Sequence, residues 1–167
     1  MAKRVVQQTT ITPTATAATT NLVDNTYPFI IQGGTATQRI NILEVMQGGQ
    51  AAASAPTLML LARDSTVAVT AAAGTHTDAA LDPATAALAA PPVVGSGFSG
   101  TKPQRSATLI LLNLSFNAFG GIVRWMAAER DEISLLGNTA SLGEISLSAF
   151  TGGTPGLMGS HLVYETL

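Results

Sequence analysis

The sequence predicts an all-β fold, namely an antiparallel β-sandwich of jelly-roll type with an extended N-terminal arm. Short apolar segments recur along the chain with Gly or Asn between them, several alternate apolar and polar residues, and only 11% of the residues are charged. Short alternating segments separated by turn residues are typical of sandwiches. Spacing does not define strand order, so a jelly roll and an immunoglobulin-like sandwich both remain open.

The N-terminal segment, residues 1–26, is predicted to be the extended arm. Its centre reads TTITPTATAATT at residues 9–20, and such small residues bury too little apolar area to pack on themselves. Val5, Val6 and Ile11 supply apolar contacts to a neighbouring surface. The sequence therefore predicts an arm over 1–26 followed by one sandwich domain over 27–167.

The first half of the domain contains a series of predicted strands. They are YPFII at 27–31, RINILEVM at 39–46, TLMLLA at 57–62 and TVAVT at 66–70. Paired glycines follow the first two of these strands, and glycine is a common strand terminator. The short polar turn around Asp64 predicts that the last two form a hairpin.

Residues 71–104 form the least regular part of the sequence, and two interpretations are open. In the first, Asp82 caps and Pro83 begins a short helix over ATAALAA at 84–90, which Pro91 and Pro92 end. In the second, the whole segment is a long loop. Both interpretations place an excursion between two groups of strands.

The second half contains the strongest strand pattern, ATLILLNLSF at 107–116. Its even-numbered residues from Ile110 to Phe116 form a fully apolar stripe. After a turn at 117–121 the chain returns as IVRWMA at 122–127, and ISLL at 133–136, LGEISLSAF at 142–150 and HLVYE at 161–165 follow. The total is about eight predicted strands, as a sandwich requires.

Several patterns resemble catalytic or cofactor motifs but lack the context that those motifs need. GSGFSG at 95–100 matches the dinucleotide-binding glycine pattern, yet Lys102-Pro103 follows it where a helix should begin. SGTK at 99–102 has the spacing of a Ser–Lys pair, but Gly100 and Pro103 break the helical turn on which such a pair works. We therefore expect no enzymatic activity and no cofactor.

The ionisable residues also give no sign of a metal or catalytic centre. His76, Asp78 and Asp82 or His161 are too dispersed for a metal site with convergent ligands. Glu144 stands within an apolar segment, so it either faces outward or pairs with an arginine across an interface. We expect no metal site and no catalytic residue.

Charge and hydropathy exclude two further classes of partner. The net charge is −2 and the eight basic residues are scattered, so no field attracts nucleic acid. The longest charge-free apolar segment, between Arg105 and Arg124, includes Asn113 and Asn117, which a membrane helix does not favour. Residues 5–20 lack the apolar core of a signal peptide. The sequence therefore predicts neither a nucleic acid nor a membrane partner.

The low charge favours a protein that buries surface against other chains, because each desolvated unpaired charge costs several kcal/mol. The residues predicted to bind partners are Val5, Val6 and Ile11 in the arm together with Arg124, Trp125 and Arg130. Trp125, the single tryptophan, either packs in the core or anchors an interface. The acidic group at 129–132 either forms a solvated corner or pairs with Arg124 and Arg130 of another subunit.

Taken together, the arm at 9–20, the strands between 29 and 164, the low charge and the absence of cysteine resemble small accessory virion proteins of tailed bacteriophages. These are capsid decoration or cement proteins. The resemblance implies a non-enzymatic homotrimer, made in the host cytoplasm, that sits on the capsid surface and stabilises it by binding the major capsid protein. It also implies that the N-terminal arm docks on the shell.

Two alternatives to this function remain open. A carbohydrate- or receptor-binding jelly-roll module of a virion spike would use Trp125 or Tyr164 as an aromatic platform. A small coat or tail-tube subunit would assemble into closed or tubular particles.

Overall fold

The computed structural model describes residues 3–17, 20–22, 28–64, 70–72, 77–95, 97–99, 102–137 and 143–167. These residues form an antiparallel β-sandwich, which confirms the predicted fold class. The first strands are β1 (Lys3–Ile11), β2 (Phe29–Gln32), β3 (Arg39–Gly49), β4 (Pro56–Asp64), β5 (Thr70–Ala72) and β6 (Thr77–Ala80). The later strands are β7 (Val93–Gly95), β8 (Gly97–Ser99), β9 (Arg105–Asn117), β10 (Ile122–Met126), β11 (Ile133–Leu136), β12 (Glu144–Ala149) and β13 (Met158–Thr166).

Two sheets form the layers of the sandwich. The six-stranded sheet has the order β10-β3-β13-β1-β6, and β11 also pairs with β3. The five-stranded sheet has the order β7-β2-β12-β4-β9, and β5 and β8 form a separate two-stranded sheet. All these strand pairs are antiparallel. The jelly-roll type of connection stays a prediction.

The core lies between the two sheets and consists mainly of aliphatic side chains. Alternate residues point inward along each strand, because successive side chains of a strand point to opposite faces. The fully buried residues of this core include Val6, Ile40, Ile42, Val45, Met59, Leu61, Leu135, Ile145, Leu147, Leu162 and Tyr164. Tyr164 is the one fully buried aromatic side chain among the described residues.

Strand β1 lies inside the six-stranded sheet, between β13 and β6. Lys3 pairs with Glu165, and Val5 pairs with both Val163 and Ala79. The sequence predicted these residues as part of an arm that stands apart from the sandwich, whereas the structure uses them as a strand. Val5 and Val6 point to opposite faces of β1, and both are buried.

Beyond β1 the chain continues as a strap, which we define as residues 12–17 and 20–22. Thr16 forms a parallel bridge with Phe150, just after β12, and its amide donates to the carbonyl of Ala149. The amide of Leu22 donates to the carbonyl of Pro103, just before β9, at 2.7 Å. The strap therefore connects the end of β12 to the start of β9, and its Leu22 side chain is fully buried.

Residues 81–92 contain turns and bends and no helix. Asp82 does cap a turn, because its carboxylate accepts a hydrogen bond from the amide of Ala84 and its carbonyl accepts one from Thr85. A single turn with few tertiary contacts does not propagate into a helix. Pro91 and Pro92 would in any case end such a helix a few residues later. The helix interpretation is wrong. The loop interpretation holds only for 81–92, because β5, β6, β7 and β8 lie elsewhere in the segment 71–104.

The predicted hairpin of 57–62 with 66–70 is not tested by the structure. Its second strand, at 66–70, falls almost entirely outside the described residues. Strand β4 itself pairs with β9 and β12. No helix in the described part of the chain is long and apolar enough to cross a membrane.

Candidate functional site

The candidate site is the outer face of the six-stranded sheet, the face that points away from the core. The strand register arranges its side chains in rows across β1, β13, β3 and β10. One row contains Gln7, His161, Met46 and Arg124, and the next contains Val5, Val163, Glu44 and Met126. The face therefore mixes apolar and polar groups on a rigid sheet.

Large apolar side chains are exposed along one border of this face. Ile122 is 73% exposed and Met126 is 57% exposed, both on β10. Phe119, in the turn that leads into β10, is 59% exposed, and Leu136 on β11 is 53% exposed. We call these four residues the apolar edge. Ile122 and Met126 lie opposite Gly48 and Glu44 of β3, whereas Leu136 lies opposite Arg39 at the far end of that strand. Large apolar side chains exposed on ordered strands are typical of interaction surfaces.

An ion pair lies beside the apolar edge. The guanidinium of Arg124 donates to the two carboxylate oxygens of Glu44 at 2.7 and 3.0 Å. The hydrogen bond from Arg124 holds the pKa of Glu44 below its ordinary value. Because both charges are satisfied within the chain, they do not require a charged partner.

A groove of about 540 Å³ crosses the same face, and its lining includes Gly48, Gly159, Met46 and His161. Gly48 pairs with Ile122 on one side and with Gly159 on the other. A Cβ atom at Gly48 would meet no atom within 4 Å. The absence of side chains at these two glycines therefore creates the floor of the groove.

The border strand of the sheet is interrupted between β10 and β11. Both strands pair with β3, at 44–48 and 39–42 respectively, and residues 127–132 bulge out between them. The amide of Ala127 still donates to the carbonyl of Leu43. Arg130 in the bulge adopts a φ of 72°, and the neighbouring Glu129 and Asp131 are exposed. Charged bulges of this kind protect sheet edges from pairing with another strand.

A second notable cluster lies beneath the strap, on the side of the five-stranded sheet opposite to the core. Arg105, at the start of β9, is only 3% exposed. Its guanidinium donates to the hydroxyl of Ser148, the carbonyls of Thr16, Ala17 and Ala149, and the hydroxyl of Thr16. It also lies 5.5 Å from the ring centre of Phe150. Arg105 therefore ties the strap to β12.

Two carboxyl groups are buried in the same cluster. Asp64, at the end of β4, is fully buried, and Glu144, at the start of β12, is 5% exposed. Asp64 accepts a hydrogen bond of 2.6 Å from the hydroxyl of Ser146. Both oxygens of Glu144 and the second oxygen of Asp64 meet no conventional donor among the described residues.

Burial raises the pKa of both acids. Loss of solvation raises the pKa of Asp64 to about 6, against hydrogen bonds from Glu144 and Ser146 and the charge of Arg105, which lower it. Loss of solvation, the hydrogen bond to Asp64 and the charge of Asp64 together raise the pKa of Glu144 to about 9. At neutral pH Glu144 is therefore protonated, and Asp64 carries the negative charge of the pair.

The residues predicted to bind partners occupy different environments. Val6 is fully buried in the core, Val5 is 7% exposed, and Ile11 and Trp125 are half-buried and pack against the core. Val6, Ile11 and Trp125 therefore serve the packing of the chain itself, whereas Val5 is buried on the outer face of β1. Arg124 and Arg130 lie on the surface, Arg124 in its ion pair with Glu44 and Arg130 in the bulge.

Sequence reasoning did not find the buried cluster. The signal was present, because Glu144 and Arg105 are charged residues within apolar strands. Glu144 was predicted either to face outward or to pair with an arginine across an interface. The structure instead buries its side chain beside the carboxyl group of Asp64 in the same chain. Asp64 had been assigned to a polar turn, since a strand end and a turn start look alike in sequence.

The described residues contain no group of three or more His, Cys, Asp or Glu side chains that could hold a metal ion. The predicted metal-ligand candidates His76 and Asp78 are not tested by this finding, because His76 and the side chain of Asp78 lie outside the described part of the structure. No protein-family model, curated protein or solved structure matches the chain.

Proposed function

We propose that this protein is a non-enzymatic structural component of a virion, a capsid decoration or cement protein that forms a homotrimer. In this proposal it binds the major capsid protein of a phage shell and stabilises the shell from its outer surface. It acts by buried area and by many repeated contacts, so it needs no catalytic group.

The observation that carries the proposal is the apolar edge. Phe119, Ile122, Met126 and Leu136 are more than half exposed, and Ile122 and Met126 lie on one face of a single strand. A partner that covers them gains the hydrophobic free energy of about 25 cal/mol for each Å² of apolar surface removed from water. The bidentate Glu44–Arg124 pair next to them brings no unpaired charge into such an interface.

The aromatic residues suggested for a carbohydrate or receptor module are used elsewhere in the structure. Tyr164 is fully buried, and Trp125 packs against the core. No observation therefore favours that alternative over the assembly protein.

The first experiment is the native mass of the purified protein by light scattering. A stable trimer supports the proposal, whereas a monomer at all concentrations contradicts self-assembly. Very large closed or tubular particles support the coat or tail-tube subunit instead. Truncation of residues 1–20 is unsuitable for this purpose, because it removes β1 from the middle of its sheet.

A further inference from the structure

The attachment of the strap depends on one side chain that has a competing partner nearby. Arg105 stands directly opposite Asp64 in the pairing of β9 with β4. All five of its N–H groups nevertheless donate to neutral oxygens, three of them on Thr16 and Ala17 of the strap. A carboxylate is the usual strong partner of an arginine, because it carries the opposite charge and can accept two parallel hydrogen bonds from the guanidinium.

The state of the two acids explains why Arg105 can hold the strap. Asp64 already accepts from Ser146, and burial keeps Glu144 protonated at neutral pH. With one proton between them, the acids carry a single negative charge, which the single positive charge of Arg105 balances. The guanidinium is then free to donate to the strap and to β12.

We propose that the Asp64–Glu144 pair and Arg105 form a switch for the strap. While the acids share a proton, Arg105 binds Thr16 and Ala17. When Glu144 ionises, the second negative charge draws the guanidinium toward the carboxylates, and the strap loses its anchor. The two states differ by one proton, which leaves Glu144 for solvent.

The described surroundings contain few other charges that could take this role. The strap contributes no ionisable side chain at its described positions, and β2 places the neutral Gln32 opposite Glu144. Arg63, next to Asp64, donates to the carbonyl of Ser134, and Lys102, which precedes β9, is half-buried. The charge of Arg105 lowers the pKa of Asp64, and the charge of Asp64 raises that of Glu144. We therefore assign the switch to Asp64, Glu144 and Arg105.

The chain has no cysteine, so a single introduced thiol reports on the strap. Ala15→Cys places the thiol at a half-buried strap position that packs against the core. Ala53→Cys places it at an exposed position outside the strap and serves as the matched control. At each pH, the reaction rate of Ala15→Cys with a neutral thiol reagent is divided by the rate of Ala53→Cys. Ionisation of the thiol affects both rates, so its effect cancels in this ratio.

We expect this ratio to rise at least about tenfold as the pH passes through the pKa of Glu144, about 9. In the Glu144→Gln background the ratio should stay flat, because the amide does not ionise. Glu144→Gln retains Arg105. A rise in the ratio caused by loss of the guanidinium proton alone would therefore appear both in the parent and in the Glu144→Gln background. A flat ratio in the parent, or an equal rise in both, would overturn the switch.

A second variant keeps the test decisive if Glu144→Gln does not fold. Asp64→Asn removes the like charge that opposes ionisation of Glu144. Release of the strap requires two negative charges, and this variant can carry only one, so the ratio should stay flat across the pH range. A rise in Asp64→Asn as large as that of the parent would also overturn the switch.

Discussion

At the scale of single residues, a row of buried polar side chains crosses the core face of the six-stranded sheet. Gln8 pairs with Ser160, and Ser160 pairs with Gln47, on three adjacent strands. Gln47 is fully buried, and neither its amide oxygen nor its nitrogen has a partner among the described residues. Buried polar groups without hydrogen bonds cost free energy, on the order of 1–3 kcal/mol each.

We therefore expect Gln47→Met to raise the free energy of unfolding, by about 1 kcal/mol. Methionine has a similar length and fits apolar surroundings, so the substitution removes the unpaired amide without opening a cavity. Urea denaturation measures the change. Gln7→Met is the matched control, because Gln7 is exposed on the opposite face of β1, and it should change stability little. A clear loss of stability in Gln47→Met would show that the amide is hydrogen-bonded in solution.

The acids Asp64 and Glu144 make stability depend on pH in an unusual direction. The ordinary pKa values of these groups are 3.8 and 4.5, and folding raises the pKa of Asp64 to about 6 and that of Glu144 to about 9. The folded state therefore binds these protons more tightly than the unfolded state. The stabilisation from the pair is complete below the ordinary pKa values of the two acids and is lost as the pH rises through about 6 and then about 9.

Thermal unfolding over a pH series tests this direction. The melting temperature of the parent should fall between neutral and alkaline pH, and Glu144→Gln should remove the alkaline part of that fall. An identical pH profile in the two proteins would show that Glu144 is ionised throughout the range.

At the scale of elements, two adjacent glycines at the end of β3 have opposite requirements. A Cβ atom at Gly49 would overlap the carbonyl of Ala118, whereas one at Gly48 would meet nothing within 4 Å. Gly49 also donates to the carbonyl of Gly121 at 2.8 Å. The close approach at Gly49 holds the β9–β10 turn against β3, and thereby positions Phe119 and Ile122.

Gly49→Ala should therefore destabilise the fold by several kcal/mol, roughly the range seen for backbone strain and overpacking. Gly48→Ala, its neighbour, should be neutral or slightly stabilising, because alanine restricts the unfolded chain. Differential scanning calorimetry of the two variants measures the contrast. Equal effects would contradict the close approach of the turn to β3.

The strands themselves were largely predictable, because their apolar alternation is a local property. The segments at 39–46, 107–116, 122–127 and 133–136 coincide closely with β3, β9, β10 and β11. Strand β1 was assigned to an arm, because its partners β13 and β6 are distant in sequence. Pairing across such distances depends on register and leaves no local pattern. For the same reason the cluster of Asp64, Arg105 and Glu144 was not predictable from spacing.

At the scale of the whole molecule, the interrupted β10–β11 border and the apolar edge favour different kinds of contact. The charged bulge at 127–132 obstructs pairing of backbones, while the side chains of Ile122 and Met126 remain available. Assembly through side chains of a defined face leads to closed oligomers when the rotation between copies closes. This arrangement agrees with the proposed trimer.

Ile122→Asp should therefore convert the proposed trimer to a monomer, because it places an unpaired charge in the interface. Ile110→Asp is the matched control, since Ile110 is 44% exposed on β9 of the other sheet. Light scattering at equal concentrations measures both masses, and circular dichroism confirms that both variants are folded. Loss of the trimer in both variants, or in neither, would remove the apolar edge from the interface.

The position of β1 between β13 and β6 also determines when the molecule can be completed during its synthesis. Residues 3–11 leave the ribosome before every other strand of this chain, yet their partner at 158–166 follows every other strand. The six-stranded sheet can therefore close only after residue 166 has emerged. Until then Val6, Ile40 and Val45 remain exposed to solvent and to other nascent chains. The layer therefore forms only once β13 is available, and contact between incomplete chains would be its main hazard.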